Sequence, residues 1–174
     1  MINLNFKALF FFGLIFLAAC ANDPQTLKNN GIVAVPLHPA ANISKTSYLR
    51  LLATQAAKRY GINHRLFHAL ITQESAWNPR AMSPVGARGL TQLMPSTAWG
   101  ECGLKRRDLF RVRANLNCGA FYFSKLLKRF GSVRLALAAY NSGETRVARL
   151  GRVPQIRETQ HYVKRIMANW RHGS

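Results

Sequence analysis

The strongest constraint on the fold is the spacing of apolar residues, which from Ser47 onward recur every three or four positions. Tyr48, Leu49, Leu52, Ala53, Ala56 and Tyr60 share one face of a helix, and Gly61 is placed to close it. Asn63 suits the N-cap of a second helix striped by Leu66, Phe67, Leu70 and Ile71. A third runs from about Val112 to Phe130, with Leu116, Ala120, Phe123, Leu127 and Phe130 inward. Ser132 can cap Val133–Tyr140, a segment apolar on nearly every side and therefore central. Tyr162, Val163, Ile166, Met167 and Trp170 form the last stripe. Only Ile32–Leu37 looks strand-like, and Pro36 interrupts its end. The expected fold class is all-α.

The second stripe continues onto a charge. Glu74 lies seven positions after Phe67, four after Leu70 and three after Ile71, so it faces the core side near the end of its helix. Burial and the negative end of the helix dipole both disfavour the ionised carboxylate. A carboxyl kept protonated near neutral pH suits a general acid for glycosidic cleavage. The same pattern also fits a structural glutamate paired with Arg80 or Arg88.

The chain begins MINLNFKALFFFGLIFLAAC, in which the apolar run from Ala8 to Ala19 is short for a bilayer-spanning helix and suited to a signal-peptide core. Its end, Leu17-Ala18-Ala19-Cys20, looks like a bacterial lipobox, which implies cleavage before Cys20 and a lipid on its thiol. Ala21 follows the cysteine, which by resemblance to Gram-negative lipoproteins favours the outer membrane. An ordinary signal peptide with an incidental cysteine is the other reading. The expected organisation is a signal at 1–19, a lipidated cysteine and tether at 20–46, and one domain at 47–174. As a coil, ~25 residues reach about 25–30 Å. In an oxidising compartment, Cys102 and Cys118 are expected to pair, with two buried thiols as the alternative.

The net charge of +19 calls for an anionic partner or describes a solvated basic surface. The cations are scattered: Arg50, Lys58, Arg59, Lys105, Arg106, Arg107, Lys125, Lys128, Arg129, Lys164 and Arg165. There is no zinc-finger spacing, phosphate-cradling loop or aromatic RNA-binding motif, so no specific nucleic acid is expected. His64 and His68 stand at zinc-binding spacing, but Arg65-Leu66-Phe67 between them lacks the zincin glutamate, and no metal is expected.

Four segments carry more information than periodicity: Glu74-Ser75-Ala76-Trp77-Asn78-Pro79, Ser83 through Pro95 (SPVGARGLTQLMP), Ala139-Tyr140-Asn141-Ser142-Gly143, and Glu158 through Val163. In this order and spacing they resemble the catalytic domain of soluble-type lytic transglycosylases, over about residues 47–171. The resemblance implies a lysozyme-like fold, peptidoglycan as substrate, no cofactor, and Glu74 as the single catalytic acid and base. Position by position it implies that Ser83 hydrogen-bonds near the reacting sugar and that Gln92 and Met94 line the groove. Tyr140 and Asn141 then stand beside the catalytic carboxyl, with Glu158 and Tyr162 at subsite or supporting positions. Met94 and Tyr162 also fit simple core positions, and Asn141 with Gly143 fits a helix C-cap. Asn63-His64, where relatives often have Asp-Pro or Asn-Pro, and Phe110-Arg111-Val112-Arg113, where they are commonly acidic or proline-bearing, depart from the family pattern.

The six acids of the chain are Asp23, Glu74, Glu101, Asp108, Glu144 and Glu158. Most glycosidases need two carboxyls at a set separation, and here only Glu158 is a candidate companion. A one-carboxyl mechanism fits this inventory: Glu74 protonates the bond between N-acetylmuramic acid and N-acetylglucosamine, then accepts the C6 hydroxyl proton as a 1,6-anhydro ring closes. A hydrolytic muramidase, a non-catalytic peptidoglycan-binding lipoprotein and a DNA-binding protein are the competing functions. Service to an envelope-spanning machinery rests on analogy alone.

Overall fold

The computed structural model describes residues 44–173. The expected signal, the Cys20 anchor, the strand-like Ile32–Leu37 and the tether through residue 43 fall outside the described residues, while Ser44, Lys45 and Thr46, expected at the end of the tether, cap and open the first helix. Within them are seven α-helices: α1 (Lys45–Arg59), α2 (His64–Ser75), α3 (Pro95–Cys102), α4 (Val112–Phe130), α5 (Val133–Ser142), α6 (Glu144–Leu150) and α7 (Arg157–His172), with a 3-10 turn at Arg106–Phe110. The fold is all-α.

The helices start and stop where local chemistry directs. Asn63 caps α2, its Oδ1 accepting from the Leu66 N–H at 3.2 Å. Gly131 ends α4 in the left-handed conformation, which costs glycine little. Ser132 stands at the cap of α5, but its side chain makes no capping bond. Burial begins α5 instead: Ala136 to Ala139 are fully enclosed, and this helix packs against α4, α6 and α7.

The core is continuous and built from the expected stripes. Phe67, Leu70, Ile71, Leu116, Phe123, Leu126, Leu137 and Ile166 are fully buried, each worth about 1.5–3 kcal/mol on leaving water. Tyr48 departs from expectation. It is 46 % exposed, because the buried face of α1 is centred on Leu49, Leu52, Ala53, Ala56 and Ala57, which turns position 48 to the flank. Cys102, at the end of α3, is bridged to Cys118 on α4, with Cα atoms 5.9 Å apart.

Candidate active site

The exit from α2 sets the position of Glu74. Ala76 and Trp77 both adopt positive φ, 47° and 66°, so the chain leaves the helix in a sharp left-handed turn. That turn is fastened by Trp77, whose indole N–H donates to Thr72 Oγ1 at 2.9 Å. The ring lies edge-on to His68 at 5.2 Å and carries the Arg50 guanidinium at 4.7 Å. His68 Nε2 bonds Thr54 Oγ1 and the Arg50 carbonyl. Burial and the Arg50 charge lower its pKa to about 4. Of the histidine pair at zinc spacing, His68 is therefore part of the scaffold that closes α2, and the exposed His64 meets it edge-on at 5.9 Å.

Glu74 is half-buried: some of its surface still meets solvent, while protein encloses the carboxyl. The Tyr162 hydroxyl of α7 donates to Oε1. Burial pushes the carboxyl pKa up to about 7, and the Tyr162 bond, which favours the ionised form, opposes it. No cation pairs with Glu74 among the described residues. Arg80 and Arg88, the expected alternatives, form no ion pair with it, and Arg88 lies over Phe110.

The segment from Ala81 to Met94 passes beside this carboxyl as a strap. Ser75 Oγ, adjacent in sequence to Glu74, donates to the Leu90 carbonyl at 2.8 Å. The Tyr140 hydroxyl donates to the Thr91 carbonyl at 2.8 Å. Burial, followed by the Glu74 charge, drives the Tyr140 pKa well above its usual value. Beneath the strap, Asn115 Oδ1 accepts from the Thr91 N–H at 2.9 Å and from its hydroxyl at 2.8 Å. Asn115 Nδ2 donates to the Arg88 carbonyl at 3.0 Å. Gly89 has φ +76°, and a Cβ there would stand 2.3 Å from the Leu109 carbonyl oxygen. The position demands glycine on both counts.

The remaining expected residues distribute unevenly. Ser83 Oγ accepts from the Ala87 N–H at 3.0 Å, leaving its own hydroxyl proton uncommitted. Gln92 has φ 45° and donates its amide to the carbonyls of Ala81 and Gly89 at 3.1 and 2.9 Å, so its amide nitrogen holds the strap together. Met94 is 38 % exposed and is not core. Tyr162 is buried and also bonds Glu74. Asn141 lies within α5 and accepts from Thr159 Oγ1 of α7 at 2.9 Å, while Gly143 takes the C-cap. Glu158 is exposed on the first turn of α7. Glu101 and Glu144 pair with Lys125 and Arg129, and Asp108 with Arg111.

Sequence reasoning missed the Thr91–Asn115 pair beneath the strap. Its signal was Gly119, a glycine inside a helix, where a Cβ would meet the Thr91 side chain at 2.5 Å.

A family model described as the transglycosylase SLT domain matches residues 52–163. The soluble lytic murein transglycosylase of Salmonella typhimurium is 34 % identical over 138 residues, covering 67 % of this chain and 21 % of that protein. A membrane-bound lytic murein transglycosylase F from Pseudoalteromonas translucida is 44 % identical over 89 residues, 47 % of this chain and 18 % of its own. Among solved structures, an inactive mutant of the lytic transglycosylase Slt from Pseudomonas aeruginosa superposes with a TM-score of 0.62 at 31 % identity, covering 70 % of this chain and 23 % of that one. The chain spans about a fifth of the length of these relatives. The all-α, lysozyme-like fold is common to them and to this chain.

Proposed function

The chain belongs to the transglycosylase SLT domain family, and from that premise we propose that it cleaves peptidoglycan glycan strands with Glu74 as acid and then base. The observation that carries this reading is the Glu74 carboxyl, enclosed, unpaired by any cation, held by Tyr162 and with its pKa raised to about 7. A group poised there is protonated often enough to donate and ionised easily enough to accept.

Glu74 donates its proton to the oxygen joining N-acetylmuramic acid to N-acetylglucosamine, and the C1–O bond breaks. The 2-acetamido group of the muramic acid stabilises the cationic centre. Glu74, now a carboxylate, takes the proton of the C6 hydroxyl as that oxygen bonds C1 and closes the 1,6-anhydro ring. The proton lost in the first half is regained in the second, and water is not consumed. Tyr162 holds the carboxyl in place through both halves. The Ser83 hydroxyl and the exposed Met94 thioether serve as polar and apolar contacts for the sugars, with Asn141 beside the carboxyl and Glu158 at a subsite. Gln92 and Tyr140 act through the strap they hold. Cys20 carries the lipid, which places the domain at the periplasmic face of the envelope, on the outer membrane.

Digestion of purified sacculi by the wild type and by Glu74→Gln, followed by mass spectrometry of the soluble products, tests the proposal. Anhydro ends from the wild type alone are expected. Reducing ends would instead mean a muramidase using water, and an absence of products from both proteins would overturn the enzymatic reading.

A further inference from the structure

Arg88 has no role in the chemistry above, yet it is only 6 % exposed. Its Nε is the single buried side-chain polar atom without a hydrogen-bond partner among the described residues, and no carboxylate pairs with the guanidinium. An arginine cannot relieve this by losing its proton, and a buried charge without a counterion is costly. The guanidinium lies over the Phe110 ring at 5.4 Å. The ring covers one side of the guanidinium and leaves its remaining N–H donors for a ligand.

The surroundings are cationic as well. Arg88, Lys105, Arg106, Arg107 and Phe110 line a cleft of about 520 Å³, and Arg80 with Phe110 lines a neighbouring one of about 460 Å³. The nearby acid, Asp108, is engaged: it meets Arg111 at 3.4 Å and accepts the Lys105 backbone N–H at 3.2 Å. The cleft therefore has an aromatic floor, an enclosed fork of donors and a basic rim. Its matching ligand is a planar anion able to accept two parallel N–H bonds, which is a carboxylate.

We propose that this cleft binds a carboxylate of the peptide stem borne by the glycan strand, an inference that rests on peptidoglycan being the substrate at Glu74. The two sites share one strap. Arg88 is two positions before Leu90, whose carbonyl is held by the neighbour of Glu74, and two residues of backbone span at most ~7 Å. A strand with a charged stem can thus engage the acid through its sugars and Arg88 through its peptide. The stem adds affinity and register without taking part in bond cleavage.

Titration calorimetry of the full-length protein with an amidase-released stem peptide, and with the same peptide after its carboxylates are converted to amides, tests this without any catalytic readout. The native peptide should bind at least tenfold more tightly than the amidated one. Arg88→Met, which keeps the contact with Phe110 and removes the charge, should abolish that difference while leaving Tm unchanged or raised. The rim pair Arg106→Gln/Arg107→Gln should weaken binding about threefold. Equal affinity for both peptides, no measurable binding of either, or unchanged binding in Arg88→Met would overturn the proposal. So would Arg88-dependent binding of inorganic phosphate or phosphatidylglycerol vesicles without binding of the stem peptide, which would make the cleft a phosphate or membrane site. If sacculi are cut in the expected way while Arg88→Met changes nothing, only the cleft assignment fails.

Discussion

Glu74, next to the residue that holds the strap, and Arg88, within the strap, face the same electrostatic problem and resolve it differently. Each is an ionisable side chain enclosed by protein without an opposite charge from the described residues. Glu74 can become neutral, and its pKa rises from 4.5 to about 7 accordingly. Arg88 cannot, because a guanidinium offers no neutral form in proteins. The carboxyl thus becomes a reagent that exchanges a proton, whereas the guanidinium stays a fixed charge awaiting an anion. Burial alone does not specify a role; the intrinsic pKa of the buried group decides which kind of site results.

The largest expected effect separates the two sites most sharply. Glu74→Gln should reduce turnover by 10³-fold or more, about 4 kcal/mol of barrier, and leave stem-peptide binding at Arg88 intact. It should also change the pH dependence of stability. Because the folded carboxyl holds its proton up to about pH 7 and the unfolded one loses it near 4.5, wild-type stability falls as pH rises through that window. Above pH 7 the variant should be the more stable, by up to about 3 kcal/mol, as urea titrations at pH 4 and pH 8 would show. A stability difference that did not depend on pH would contradict the raised pKa.

Replacing Cys102 and Cys118 by alanine should cost about 3 kcal/mol for a loop of this length. Hydrogen exchange should report the loosening first in α3 and the 3-10 turn beside the Arg88 cleft, and later in α2 and α7. Uniform loosening would mean that the two regions unfold as one unit. Gly89→Ala attacks the strap that they share. Its positive φ and the 2.3 Å approach to the Leu109 carbonyl predict a loss of about 2–3 kcal/mol, with both catalysis and stem binding reduced. Loss of one without the other would uncouple the sites.

Tyr162→Phe is the mildest and most local of these changes. Without the donor that favours the carboxylate, the Glu74 pKa should rise further, moving the alkaline limb of the pH–rate profile to higher pH. Turnover should fall about tenfold, or ~1.4 kcal/mol. An unmoved limb would mean that the hydroxyl only fills space.

The long helices were legible because α1, α2, α4 and α7 each carry an apolar stripe and α5 is apolar on nearly every side. The short ones did not declare themselves. Among their residues only Ala98 of α3 and Val147 of α6 are buried, too few to establish a period. Glu74 could be read because it interrupts a stripe that it also extends. The Arg88 cleft could not, since Arg88 and Phe110 lie 22 positions apart on segments without periodicity, and local spacing carries no trace of their stacking. The alternative that paired Arg88 with Glu74 fails for a related reason. The strap carries Arg88 toward Phe110, and Ser75 meets only its backbone, at Leu90.

The bond between Tyr162 and Glu74 joins residues 88 positions apart in the chain. Helix α2 arises from one local stretch of chain, whereas the donor that steadies its acid comes from the far end and arrives only when α7 docks. Any partly folded form lacking a docked α7 should therefore be chemically mute.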